Sequence, residues 1–120
     1  MAALVKARAT AAFLVSEAAV QGHRSRGVQA FDSETDWASA VIPVGQVYAV
    51  VSGAAVAFDG DATDGSEDAA GILYEAVPVD AVVDRTVIVR DAEVTLADLT
   101  YDGTDAEVTA SLAALGIIVR

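Results

Sequence analysis

Residues 104–119, TDAEVTASLAALGIIV, carry the clearest structural signal in the chain. Thr104 with Glu107 three residues later is a capping box, in which the threonine hydroxyl accepts the Glu107 backbone N–H and the glutamate reaches back to the Thr104 N–H. Asp105 and Glu107 also suit the positive end of a helix dipole. Val108, Leu112 and Leu115 recur at i, i+4 and i+7 and form one apolar stripe. Gly116 is placed to end the helix in the left-handed conformation. Ile117-Ile118-Val119 then reads as a final buried strand. The spacing predicts a helix near 104–115 that feeds a short strand.

Upstream of this helix, from Pro43 onward, the pattern is β. Strands are expected at Gly45–Val51 and Ala54–Phe58, with Gly53 at the turn between them. Asp59–Asp68, DGDATDGSED, is a long Gly/Asp turn. Ala70–Val79 is the strongest strand candidate, with Pro78 marking its edge or end. Arg85–Arg90 and Ala92–Leu96 read as two strands on either side of Asp91. Within the first of these, Ile88 is out of step with Val87 and Val89 and points to a second apolar layer. Much of the 54% hydrophobic content is Ala and Val, so the core is expected to be built from small and β-branched side chains. The fold class expected is mainly β with one C-terminal α-helix, in a single domain of 120 residues.

Residues 1–30 read differently, as an extended N-terminal arm ahead of a body at 31–120. Phe13-Leu14-Val15 is a short apolar run without an obvious local partner. Gln21–Gly27 is a polar loop with two glycines, and a short strand follows at Val28–Phe31. The acidic loop 32–39 holds Trp37, which either packs that loop on its own core or anchors a partner. Charge divides along the same line. Lys6, Arg8, Arg24 and Arg26 face a single Glu17 in residues 1–30, whereas the remaining residues hold three arginines against seventeen carboxylates, within a net charge of −11. Such an acidic body argues against direct contact with nucleic acid. The basic segment reads either as a contact for an acidic partner or as a solvated tail.

Little in the chain carries catalytic chemistry. There is no cysteine, so neither a disulfide nor a thiolate is available, and His23 is the sole histidine. No metal site, cofactor or catalytic set is expected. Asp59 and Asp61 match the first and third positions of an EF-hand loop, but Asp64 and Ala70 stand where that loop needs Gly and Glu. Glycosidase-like carboxylate pairs are not favoured at any spacing, and the glycines mark turns, not a phosphate loop. Ser16, Glu17 and Arg8 interrupt the apolar start, which does not fit a signal peptide. No stretch approaches a membrane span.

Several segments, in order, resemble the head decoration protein family of lambda-like phages. Phe13-Leu14-Val15-Ser16-Glu17-Ala18 and Arg24-Ser25-Arg26 are similar to its opening. Pro43-Val44-Gly45-Gln46-Val47 is similar to its strand entry. Phe58-Asp59-Gly60, Thr63-Asp64-Gly65 and Ala70-Gly71-Ile72-Leu73 resemble its strand–turn–strand segment, and Leu112–Val119 its terminal helix and ending. The acidic insert around Trp37 and Ala49-Val50 after the strand entry depart from that pattern. The resemblance implies a small β-rich decoration-protein body with an extended arm. It implies a non-enzymatic subunit that binds the outer surface of a tailed-phage head as a homotrimer, at three-fold and local three-fold positions, and stabilises it. The partner implied is the major capsid protein, with no membrane contact, and the protein is made in the host bacterial cytoplasm. The arm residues expected to carry binding are Phe13, Leu14, Val15, Arg24 and Arg26. The alternative is another virion or surface β-module, such as a tail or adhesin domain.

Overall fold

A computed structural model describes residues 13–17, 25–35 and 37–120. Eight strands form two sheets: β1 (Leu14–Glu17), β2 (Arg26–Asp32), β3 (Val47–Val51), β4 (Ala54–Ala57), β5 (Gly71–Leu73), β6 (Val82–Ile88), β7 (Ala92–Val94) and β8 (Ile117–Val119). The α-helix α1 (Asp105–Ala113) lies between β7 and β8. The larger sheet is antiparallel, in the order β2-β6-β5-β3-β4. The smaller has the order β1-β7-β8, with β1 antiparallel and β8 parallel to the central β7. A parallel pair needs a crossover, and α1 supplies it. The mainly β architecture with one C-terminal helix matches the sequence reading.

The central part of the larger sheet is covered on both faces, where successive residues of a strand point to opposite sides. Val47, Ile72 and Ile88 enter a core with Phe13, Phe58, Val94, Val108, Leu112 and Ile117. Their chain neighbours Tyr48, Leu73 and Val87 enter a second core with Phe31, Ile42, Ala55 and Val77. Ile88 thus faces a second layer, as its phase predicted, and the apolar runs are continuous because neither face is wet. The end strands β2 and β4 approach one another, so the sheet curls around the second core. There Phe31 of β2 meets Tyr48 of β3 edge-on, with ring centroids 5.1 Å apart. Burial pushes the Tyr48 hydroxyl up to about 12, so it stays neutral. Gly71 permits the close packing at this seam: a Cβ there would lie 2.6 Å from the Ile88 carbonyl oxygen.

The capping box is present, with both reciprocal hydrogen bonds made. Gly116 has φ +78 and ends α1. Trp37 packs on the second core beside Phe31 and donates its indole N–H to the Asp32 carbonyl at 2.9 Å.

Three expectations are corrected. The strand expected at Ala70–Val79 shrinks to Gly71–Leu73, and beyond it only Val77 pairs again, as an isolated bridge to Ile42. The last strand is not uniformly buried: Ile117 is inside and Ile118 is 54% exposed. Finally, Phe13-Leu14-Val15 does not lack a partner in its own chain. Leu14–Glu17 pairs with Ala92–Val94, and Phe13 is 1% exposed in the first core. The boundary expected at residue 30 falls inside β2, which pairs with β6 along its whole length. Residues 13–17 and 25–30 are therefore parts of the folded body, while 1–12 and 18–24 lie outside the described residues.

Candidate functional site

The small sheet brings the two ends of the described chain to one corner. The Thr95 N–H donates to the Phe13 carbonyl at 2.8 Å, the Arg120 N–H to the Val94 carbonyl at 2.9 Å, and the Leu96 N–H to the Arg120 carbonyl at 3.0 Å. β1 starts and β8 finishes on either side of the same end of β7. The inner face of this sheet, Phe13, Ala92, Val94 and Ile117, is core. Its outer face is solvent-exposed. Val15 there is 52% exposed and Ile118 54%, flanking an ion pair in which Arg120 Nε donates to Glu93 Oε2 at 2.8 Å. That hydrogen bond holds the Glu93 carboxyl below its ordinary range. β1 is also the end strand of its sheet, and its register shifts between Leu14 and Ser16. Its outer edge presents backbone groups that no described strand pairs, a feature that templates strand addition.

The residues expected to carry binding therefore separate. Phe13 is inside the body, Leu14 is half-buried opposite Val94, and Val15 is on the exposed edge. Arg26 opens β2 on the other sheet, with its guanidinium carbon 4.3 Å from the centre of the Tyr74 ring and Nη2 donating to the Tyr74 hydroxyl at 3.3 Å. This stacking fixes the cation on an aromatic face. Arg24 and His23 lie outside the described residues. Glu93, Ile118 and Arg120 were not singled out from the sequence. The β1–β7 pairing sets Glu93 opposite Ser16, the parallel β7–β8 pairing adds Ile118 and Arg120, and no local pattern signals either pairing.

The acidic turn spends its carboxylates on its own backbone. Asp59 accepts the Asp61 N–H at 3.0 Å, Asp64 accepts the Ser66 N–H at 3.0 Å, and Glu67 accepts the Gly65 N–H at 2.8 Å. The Ser66 hydroxyl and N–H hold Asp64 below its ordinary range. Glu107 accepts the Thr104 N–H at 2.7 Å, which holds its carboxyl down, while hydrogen bonding to Glu107 pushes Asp61 up. Among the described residues no group of three or more His, Cys, Asp or Glu is arranged to hold a metal ion. A shallow groove of about 790 Å³ runs past Thr95, Leu96, Tyr101, Asp105 and Arg120. The Tyr101 hydroxyl donates to Asp105, which raises its pKa and keeps the phenol protonated. No helix among the described residues is long and apolar enough to cross a membrane.

What this corner can do is bind: it offers an open strand edge, two exposed aliphatic side chains and one ion pair. Compared with known proteins, the chain matches the family model described as bacteriophage lambda head decoration protein D over residues 3–117. No curated protein matches it.

Proposed function

The chain belongs to the bacteriophage lambda head decoration protein D family, and from that premise we propose that it is a cement subunit on the outside of a tailed-phage head. The family is structural, and the role is binding, not catalysis. In this reading homotrimers sit at three-fold and local three-fold positions of the shell, after synthesis in the host bacterial cytoplasm. A subunit that binds only the assembled lattice stabilises it by mass action.

The partner is the major capsid protein, and the observation that carries its contact is the open β1 edge beside both ends of the described chain. A strand from the capsid protein adds to β1, with main-chain hydrogen bonds supplying affinity and alternate side chains selectivity. Leu14 and Val15 are the side chains of that edge. Phe13 supports the contact from the core, by holding β1 on β7. Arg24 and Arg26 meet acidic groups of the shell and set the salt dependence of binding. The test is to heat purified heads with and without the protein. Decorated heads are expected to rupture at a higher temperature, with the protein present in fixed ratio to the capsid protein. Rupture at the same temperature, or absence from particles, overturns the cement role.

A further inference from the structure

Two shallow grooves follow one another from the corner where β1 begins. The first, past Thr95, Leu96, Arg120 and Asp105, starts beside Phe13, whose carbonyl accepts the Thr95 N–H. The second starts one helical turn beyond Asp105, at Thr109. It runs between α1 and β8 past Ala113, Gly116, Ile117 and Val119, with a mostly apolar lining and a volume of about 410 Å³. On this side β8 is the end strand of its sheet. Arg120 turns both its N–H and its carbonyl toward β7 and the chain that follows it. Alternate residues of a parallel pair repeat that direction, so Ile117 and Val119 turn theirs outward, where no described strand meets them. The small sheet thus has an open edge at β8 as well as at β1, and the β8 edge adjoins an apolar groove.

The twelve residues ahead of Phe13 fit this path in pattern, charge and length. Read as a strand, they put Ala3, Val5, Ala7 and Ala9 on one face and Leu4, Lys6, Arg8 and Thr10 on the other. The small apolar face suits a shallow groove. The other face carries Lys6 and Arg8, with no carboxylate in residues 1–12, over a body that is strongly acidic. From Phe13 to the outer side of β8 is three strand spacings, about 14 Å, which four or five residues cover at about 3.3 Å each. Residues 9–12 can therefore cross by the first groove, leaving residues 3–8 for the β8 edge. They would run toward the corner, parallel to β8, and bring Arg8 near Asp105. A hairpin back onto β1 is the competing course. It needs a tight turn at Thr10-Ala11-Ala12, which has no Gly, Asn or Asp, and it meets an edge whose register is broken between Leu14 and Ser16.

We infer that residues 3–8 add to the outer edge of β8 in their own chain, as a fourth strand seated over the α1–β8 groove. This closes one end of the small sheet and leaves the other, β1, for a partner. The test is amide exchange of the full chain, free of heads, followed by NMR. Exchange of the Ile117 and Val119 N–H groups is referred to that of Leu73, whose N–H donates to the Gln46 carbonyl in the larger sheet. The Val5→Asp/Ala7→Asp double variant puts two carboxylates on the face that enters the groove, where burying them is costly. Relative to Leu73, both amides are expected to exchange at least about tenfold faster in the variant than in the parent. Labelled variant mixed with excess unlabelled parent is expected to exchange as fast as it does alone, because the strand comes from the same chain. Equal rates in parent and variant overturn the proposal. So does slowing of the labelled variant by unlabelled parent, which would assign the groove to a second copy.

Discussion

The two sheets of this body are built on the same strand chemistry but stand in different surroundings. The larger sheet is buried on both faces at its centre, so each of its central strands feeds two cores. The smaller one has one face in the core, while the other is exposed around the Glu93–Arg120 ion pair. Phe13 and Val15 condense the contrast, 1% and 52% exposed at two positions of the same chain segment. A strand that is core on one side and open on its other face and edge can hold a fold together and still receive a partner. The larger sheet is closed on both sides at its centre, and the smaller one leaves a face and an edge open, which is where the proposed partner strand adds.

The contrast breaks if the β1 segment contributes nothing to the body. Phe13→Ala is expected to cost about 3–5 kcal/mol, the range for emptying a buried aromatic site, read as a fall in the denaturant midpoint. Deletion through residue 26 removes Phe13 and β1 and cuts into β2, and it is expected to abolish a cooperative melt. An unchanged midpoint for Phe13→Ala would detach β1 from the core.

That placement was not legible in the sequence, and the reason is physical. α1 could be read from Thr104, Glu107, the Val108–Leu112–Leu115 spacing and Gly116 because every interaction that defines it lies within a few residues. The two-layer role of Ile88 was legible from its phase against Val87 and Val89. Leu14 pairs with Val94, and Glu93 with Ile118. Nothing next to Leu14 in the chain indicates which edge it will meet, so an isolated apolar triplet looked like a free arm. Ala70–Val79 was overread because Pro78 and Glu75 interrupt an apolar run whose later residues return as a single bridge. The candidate site was the least legible: Phe13, expected in an exposed arm, is buried in the core, Glu93 needed the β1–β7 pairing, and Ile118 and Arg120 needed the β7–β8 crossover to be placed.

Smaller effects sharpen the comparison. Thr104→Ala removes one half of the capping box and is expected to cost about 1 kcal/mol, measured on the same melt, with head binding unchanged because α1 lies away from the β1 edge. Asp61→Asn tests the acidic turn. The folded-state pKa of Asp61 is raised, chiefly by its hydrogen bond with Glu107 and the repulsion that goes with it. A raised folded pKa contributes stability that is complete below the unfolded pKa and lost as pH rises through the folded one. Asp61→Asn is therefore expected to raise the melting temperature slightly at neutral pH, with the gain fading as pH falls below the carboxylate range. Glu107 has the opposite sign, its lowered folded pKa giving stability that is lost as pH falls through that value. A gain for Asp61→Asn that grows on acidification would reverse this assignment.

The most direct test uses the exposed member of the pair. Val15→Asp changes a side chain that is half in water, so the melt of the isolated protein is expected to move by no more than about 0.5 kcal/mol. The same change places an unpaired carboxylate on the open strand edge, where burial under an added strand is costly. Quantitative gels of purified particles are expected to show heads without the Val15→Asp protein, although it is folded. Full occupancy of heads by Val15→Asp would contradict the account and move the shell contact away from β1.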